Sequence, residues 1–215
     1  MEEKIENVLL ICLDNIIKYS KRSNKRIIPL HTFLGNNISK NIKYEVKLNG
    51  LFNDKNVDLY SDYIKTAYEV KLIICNYKQN ANNYFENMIG ATINLKQNGY
   101  RVVQIVFIPK YLPHFNKDGV LKSIEYISDR DIQKYEKLMR KRNYCPDNLL
   151  LCVFDTGNEE YLKNNIDNKL NNNELYESYN ISIVSKFNKD IQTFMDEYGN
   201  IEKFILNERR LNESV

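Results

Sequence analysis

Tryptophan is absent, and the two histidines lie far apart in the chain, which argues against a zinc centre. The four cysteines, Cys12, Cys75, Cys145 and Cys152, show no C-x-x-C spacing. Cys12, Cys75 and Cys152 fall inside apolar segments and read as buried free thiols of a cytosolic protein. No run approaches the roughly 20 apolar residues that a membrane helix needs, so no membrane partner is expected. The start Met1-Glu2-Glu3 is acidic and unlike a secretory signal, so a cytoplasmic location is expected. Charge of one sign is also in short supply: the formal net charge is +3, which permits nucleic-acid binding without establishing it. What is present suits a globular protein, with 43% hydrophobic and 27% charged residues in 215, a length that fits a single domain.

Along the chain, Ile5, Val8, Leu9, Cys12, Leu13, Ile16 and Ile17 recur at helical spacing and predict a helix over residues 2–20. Glu2, Glu3 and Glu6 at its start and Lys18, Lys21 and Arg22 at its end suit the helix dipole. Pro29, Gly35 and Asn36-Asn37 break any period, so residues 23–41 are expected to be irregular. Lys43–Leu48 alternates as a strand does, and Asn49-Gly50 signals a turn. A hairpin follows, with Val57–Tyr60 and Thr66–Ile74 as its strands. Alternation places Ile64, Tyr68, Val70, Leu72 and Ile74 on one face and Lys65, Ala67, Glu69 and Lys71 on the other, less apolar one.

Residues 80–97 read as a helix ended by Gly99, and Arg101–Ile108 as a central strand covered on both faces. Residues 109–122, with Pro113, His114 and Gly119, read as a loop. Asp129–Arg142 reads as a helix and Leu149–Asp155 as a buried strand. Residues 158–180 are polar, with Asn171-Asn172-Asn173 their least structured point. A short strand is expected at Ile181–Val184, then one or two helices from Asn188 to Leu211 with a break at Tyr198-Gly199-Asn200. The fold class expected is α/β, a mixed central sheet flanked by helices. Residues 1–155 would form the core and residues 156–215 a helical or irregular C-terminal extension.

The chemistry concentrates between Gly50 and Pro109. A turn near Tyr63 brings Asp58 to the level of Glu69, and Lys71 projects beside Glu69. Two carboxylates can hold Mg²⁺, which takes oxygen ligands. An adjacent lysine can hold the attacking water or neutralise charge developing on a phosphate. Acid-x-Lys alone is cheap: Glu2-Lys4, Glu45-Lys47 and Asp167-Lys169 also have it. Only Glu69 has a paired-strand aspartate before it and a helix and apolar strand after it. The bland competitor is a solvated strand face.

Asp58, Glu69-Val70-Lys71, the helix after them and strand 101–108 resemble the PD-(D/E)XK nucleases, whose shared core is a helix, a mixed sheet, a helix and a further strand. Val57 stands where the family's name has Pro. The resemblance implies a restriction-endonuclease-like core over about residues 1–110. It implies Asp58 and Glu69 as metal ligands, Lys71 as the catalytic lysine, Mg²⁺ as cofactor and Glu45 as an additional acid. Within that superfamily the chain looks most like type II restriction endonucleases of the BamHI/BglII sort. That implies a homodimer cutting a short palindromic site in double-stranded DNA. Candidates for base contacts are then Lys78, Gln79, Asn80, Asn82 and Asn83 and the loop around His114–Lys117. Asp58→Ala would abolish cleavage with the fold intact. A same-fold nuclease acting on branched DNA or RNA, or a non-catalytic α/β binding module, are the alternatives. Sixteen tyrosines and nine phenylalanines fall mostly on expected buried faces, so no single-strand stacking platform is read from them.

Overall fold

The computed structural model describes residues 4–19, 24–166, 174–175 and 180–214. Glu2, Glu3, Lys21, Arg22, Asp167 and Asn171-Asn172-Asn173 lie outside the described residues. Helix α1 (Ile5–Lys18) buries the stripe that its spacing predicts. A 3₁₀ turn (Asn24–Arg26) then leads into α2 (Ile28–Ile38), where an irregular segment was expected. Both supposed breakers have a place there. Pro29 stands in the first turn, where an N–H has no intrahelical partner to lose. A Cβ at Gly35 would meet the end of the Tyr44 ring, which lies there against the bare helix backbone.

Strands β1 (Lys43–Leu48), β2 (Lys55–Ser61) and β3 (Thr66–Leu72) form an antiparallel meander. Helix α3 (Tyr77–Lys96) crosses over to β4 (Arg101–Pro109), which runs parallel to β3, with β7 (Asn148–Asp155) parallel beyond it. Strand β8 (Ser182–Ile183) closes this mixed sheet antiparallel to β7, giving the order β1-β2-β3-β4-β7-β8. Residues 109–122, expected as a loop, instead carry most of a separate hairpin, β5 (Tyr111–Phe115) and β6 (Leu121–Tyr126). In a two-stranded sheet each strand is an edge, which is where Pro113 is tolerated. Asn76 docks this hairpin, accepting from the Phe115 amide at 2.7 Å and donating to its carbonyl at 3.2 Å.

Helix α4 (Asp129–Met139) ends before the expected Arg140-Lys141-Arg142, α5 (Glu159–Asn164) is short, and α6 (Lys189–Tyr198) and α7 (Ile201–Glu213) break at the expected residues. Helix α3 begins at Tyr77 rather than residue 80, and Cys75 is half-buried rather than buried.

The layers are helix, sheet, helix. On one face α1, α2 and α7 cover Leu59, Tyr68, Val70, Val103, Ile105 and Phe107. On the other, α3, α4 and α6 cover Val106, Ile108, Leu151 and Val153. Leu95 of α3 packs there on Val57, Tyr60, Ala67 and Val102. The expected C-terminal extension contributes Glu208, fully buried, which takes a bidentate pair from Arg101 at 2.7 and 2.8 Å. Asn148 Nδ2 and the Tyr68 hydroxyl also donate to it. One carboxylate of α7 thereby ties together β3, β4 and β7. Among the described residues no helix is long and apolar enough to cross a membrane.

Candidate functional site

The site arises where two strands part. β2 pairs with β3 at Ser61↔Thr66, Tyr60↔Ala67 and Leu59↔Tyr68. Beyond that pair, Lys55–Val57 stays with β1 while Glu69–Leu72 continues beside β4. Asp58 and Glu69 are the next positions of the same register, at the mouth of the opening. Asp58 Oδ2 accepts the Val70 amide at 2.7 Å, so a side chain does what a strand carbonyl would do.

A second irregularity faces Asp58. Glu45 falls in register opposite it, between the pairs Tyr44↔Leu59 and Val46↔Val57, with a left-handed φ of +50°. That conformation costs an L residue of order 1–3 kcal/mol and persists where the surroundings enforce it. Its effect is to reverse side-chain alternation. Tyr44 turns toward Gly35 and Asn36 of α2, whereas Val46 packs with Leu48 and Val57 on the opposite side. Leu59 and Val57, two apart on β2, likewise enter different clusters.

Glu69 lies on the α3 side of the sheet and is only 6% exposed. That side was expected to be the less apolar one, and on it Ala67 and Glu69 are covered. The solvated-strand-face reading therefore does not describe Glu69. Lys55, reaching across the opening, places its Nζ 3.2 Å from Glu69 Oε2. Glu69 Oε1 is buried and has no hydrogen-bond partner. Its lateral neighbour on β4 is Gln104, also buried, whose Nε2 donates to Thr92 at 3.4 Å while its Oε1 is unpartnered. Burial raises the Glu69 pKa above the ordinary carboxylate value and the Asp58 charge adds to this; Lys55 and Lys71 oppose it. Lys71 is half-buried two residues on, on the Glu69 side of the strand.

Sequence reasoning missed two neighbours of the site. Lys55 is one. The other is His31 on α2, only 6% exposed, whose Nε2 stands 3.9 Å from Asp58 Oδ1 with no hydrogen-bond partner. Burial lowers the His31 pKa, against the pull of Asp58 and Glu45. A histidine amid Leu30, Phe33, Leu34 and Ile38 was the available signal, hidden by reading the segment as irregular.

The structure thus brings Asp58, Glu69 and Lys71 to one opening, with Glu45 across from Asp58. The candidate base-contacting residues lie on the first turns of α3. Gln79, Asn82 and Asn83 are exposed there. Asn80 is half-buried and its side chain donates to the Asn76 carbonyl at 2.9 Å. Lys78 is engaged by the hairpin and α4: its amide donates to Glu125 at 3.0 Å, and its Nζ lies 4.8 Å above the Tyr126 ring and 3.8 Å from Asp131. His114 is tied to the same Glu125 at 3.4 Å.

The donor set fits a hard divalent cation in kind. It offers two carboxylates, one with a buried oxygen lacking any partner and one with an oxygen not used by Val70. Among the described residues no group of three or more His, Cys, Asp and Glu side chains stands ready to hold a metal. A cation here would be met by protein ligands in pairs, with water completing its shell, as is usual for Mg²⁺. A cavity of about 900 Å³ opens elsewhere, lined by Phe33, Asn37, Ile201 and Arg209, and none of Asp58, Glu69 or Lys71 borders it. Comparison with known proteins finds no matching family model, no matching curated protein and no matching solved structure.

Proposed function

We propose that this chain is a divalent-cation-dependent nuclease that hydrolyses phosphodiester bonds, with Asp58 and Glu69 holding the cation and Lys71 facing the scissile phosphate. The observation that carries it is the buried Glu69 carboxylate, one oxygen without a partner, next to Asp58 where β2 and β3 part. Burying an ionisable group without satisfying it costs free energy, and such costs gather at sites that use them. The element order supports the same reading: helices, a three-stranded meander, a helix and a strand parallel to the third accord with the helix, mixed sheet, helix and further strand that the PD-(D/E)XK resemblance implies.

A bound Mg²⁺ supplies the charge that activates water and stabilises the phosphoryl oxygens. The chain's own groups do the rest. Lys55, 3.2 Å from Glu69, opposes the desolvation that raises the Glu69 pKa. The Val70 amide fixes Asp58 in one orientation. The Lys71 ammonium can donate to the attacking water or to a phosphoryl oxygen. The water oxygen forms the new P–O bond as its proton passes to solvent, the bridging P–O bond breaks, and the leaving oxygen takes a proton from solvent. The substrate class proposed is a short palindromic site in double-stranded DNA, cut by a homodimer, with Gln79, Asn82 and Asn83 on the exposed first turns of α3 facing the base edges.

The test is incubation of plasmid and bacteriophage DNA with the purified protein and Mg²⁺, beside an EDTA control. Discrete fragments that disappear with EDTA are expected. Cleavage at the wild-type rate by Asp58→Asn and Glu69→Gln would overturn the proposal. Cutting of only branched DNA or RNA would keep the chemistry and change the substrate. No cutting of any of these would favour a binding module.

A further inference from the structure

We propose that Phe52 is an aromatic wedge that enters a base step of duplex nucleic acid beside the site, with the outer face of α3 lying along that duplex. This rests on the nuclease reading and names how its substrate is held. Phe52 is 77% exposed, the most of any described aromatic residue, and Leu51 before it is 52% exposed. Both stand on the turn between β1 and β2, and that turn is fastened to α3. The Leu51 amide donates to the Asn94 carbonyl at 2.9 Å and the Phe52 amide to Asn94 Oδ1 at 2.8 Å. Asn94 Nδ2 donates to the Asn53 carbonyl at 2.9 Å, and Asn98 Nδ2 to the Asn49 carbonyl at 2.8 Å. A Cβ at Gly50 would meet the Asn94 amide and the Asn53 carbonyl, so the turn sits tight against the helix. Its backbone bonds to α3 while its two apolar side chains face out. An exposed ring on a held backbone is a preorganised contact, with less freedom left to lose on binding.

Helix α3 gives an independent observation. Gly90 stands mid-helix and exposed, and a Cβ there would meet nothing within 4 Å. Glycine weakens a helix interior, and no packing among the described residues asks for it here. Close approach of a partner does. Asn83, Asn87, Gly90 and Asn94 share one face of the helix, and the turn covers its Asn94 end. Asn83 and Asn94 are about three turns, roughly 16 Å, apart. Half a turn of B-DNA is about 17 Å. A duplex lying along α3 with its major groove at Asn83 therefore presents its minor groove at Phe52, and the minor groove is where Phe and Leu wedges part base steps.

Continuity with the cation site sets the occupant. Lys55, three positions after Phe52, reaches Glu69 at 3.2 Å. Three residues span at most about 10 Å, so the wedge falls within the footprint of a duplex bound at Glu69. Charge does not hold this face. Lys47 is paired with Asp54 at 2.8 Å, and exposed Glu86 stands to the side of Asn83 and Gly90. Stacking has to supply the contact, and every base has a face to stack on.

The chain has no tryptophan, so Phe52→Trp makes a single reporter at the tip. The full chain carrying it is titrated with sheared bacteriophage DNA, with Ca²⁺ in place of Mg²⁺ to hold back cleavage, and binding is followed by gel shift. Loss of at least about half of the tryptophan emission on binding is expected from an indole stacked on bases. Phe52→Ala is expected to lose about tenfold in DNA affinity, the worth of one base stack. Gly90→Gln adds bulk to the face without an internal clash. It is expected to lose about tenfold in DNA affinity while its melting temperature holds or rises. Unchanged emission from bound Phe52→Trp overturns the inference, as does wild-type affinity in both Phe52→Ala and Gly90→Gln. If Phe52→Ala splits a dimer in sedimentation and leaves DNA affinity per protomer unchanged, the tip is a contact between copies and the inference is overturned. Mg²⁺-dependent cutting by wild type without quenching removes the wedge alone. Quenching without Mg²⁺-dependent cutting keeps the wedge and removes the nuclease reading. No DNA binding by wild type removes both.

Discussion

Asp58 holds the Val70 amide at 2.7 Å, across the point where β2 and β3 stop pairing. One carboxylate therefore ends a ladder and faces the site. That double duty changes how its variants are to be interpreted. Asp58→Ala removes a proposed ligand and also leaves a strand N–H without its acceptor, so the expectation of an intact fold does not carry over. Asp58→Ala is expected to cost about 1–3 kcal/mol, and Asp58→Asn, which keeps an oxygen acceptor, less than half of that. Urea unfolding of both variants checks this, and equal stability of Asp58→Ala and wild type contradicts it.

Glu69 should show the opposite balance. Its charge is desolvated and only partly offset by Lys55. Glu69→Gln keeps the shape and removes the charge. It is expected to leave the metal-free protein as stable as wild type or up to about 2 kcal/mol more stable, while abolishing cleavage. Thermal denaturation in EDTA, paired with the DNA assay, reads both. A large loss of stability would mean that Glu69 is a structural ion-pair residue.

Lys71 is separable from both carboxylates because its proposed partner is the phosphate. Lys71→Met is expected to lower the cleavage rate about 10²- to 10³-fold and to leave cation affinity within about threefold. Single-turnover cleavage and a cation titration on the same preparation test this. Loss of cation affinity would place Lys71 in the assembly of the site instead.

Glu208 lies apart from this chemistry. It is fully buried and takes hydrogen bonds from Arg101, Tyr68 and Asn148. Glu208→Ala leaves the half-buried Arg101 guanidinium without its counter-charge and should cost about 3–5 kcal/mol. Chemical denaturation measures it, and a loss below about 1 kcal/mol would show that the network contributes little.

Elements with a clean period were legible in the sequence. The α1 stripe, the extent of β1, the near-continuous apolar run of β4 and the break between α6 and α7 all come from local pattern. The failures came from residues whose meaning depends on a neighbour. Pro29 and Gly35 read as breakers because the first-turn position of one and the Tyr44 ring against the other cannot be seen locally. Pro113 hid a hairpin whose anchor, Asn76, is 39 residues away from Phe115 in the chain.

For the candidate site, the sequence by itself determined the hairpin, its level and the company of Asp58, Glu69 and Lys71. A short antiparallel pair has few registers, and alternation puts Glu69 and Lys71 on one side. Only the tertiary structure decided that β2 and β3 part just after Leu59↔Tyr68, that Glu45 takes a left-handed conformation opposite Asp58, that Glu69 is buried and that His31 and Lys55 reach in from other elements. The reason is physical: burial and long-range contact follow from how the helices cover the two faces of the sheet, and a local sequence pattern carries only which residues share a face.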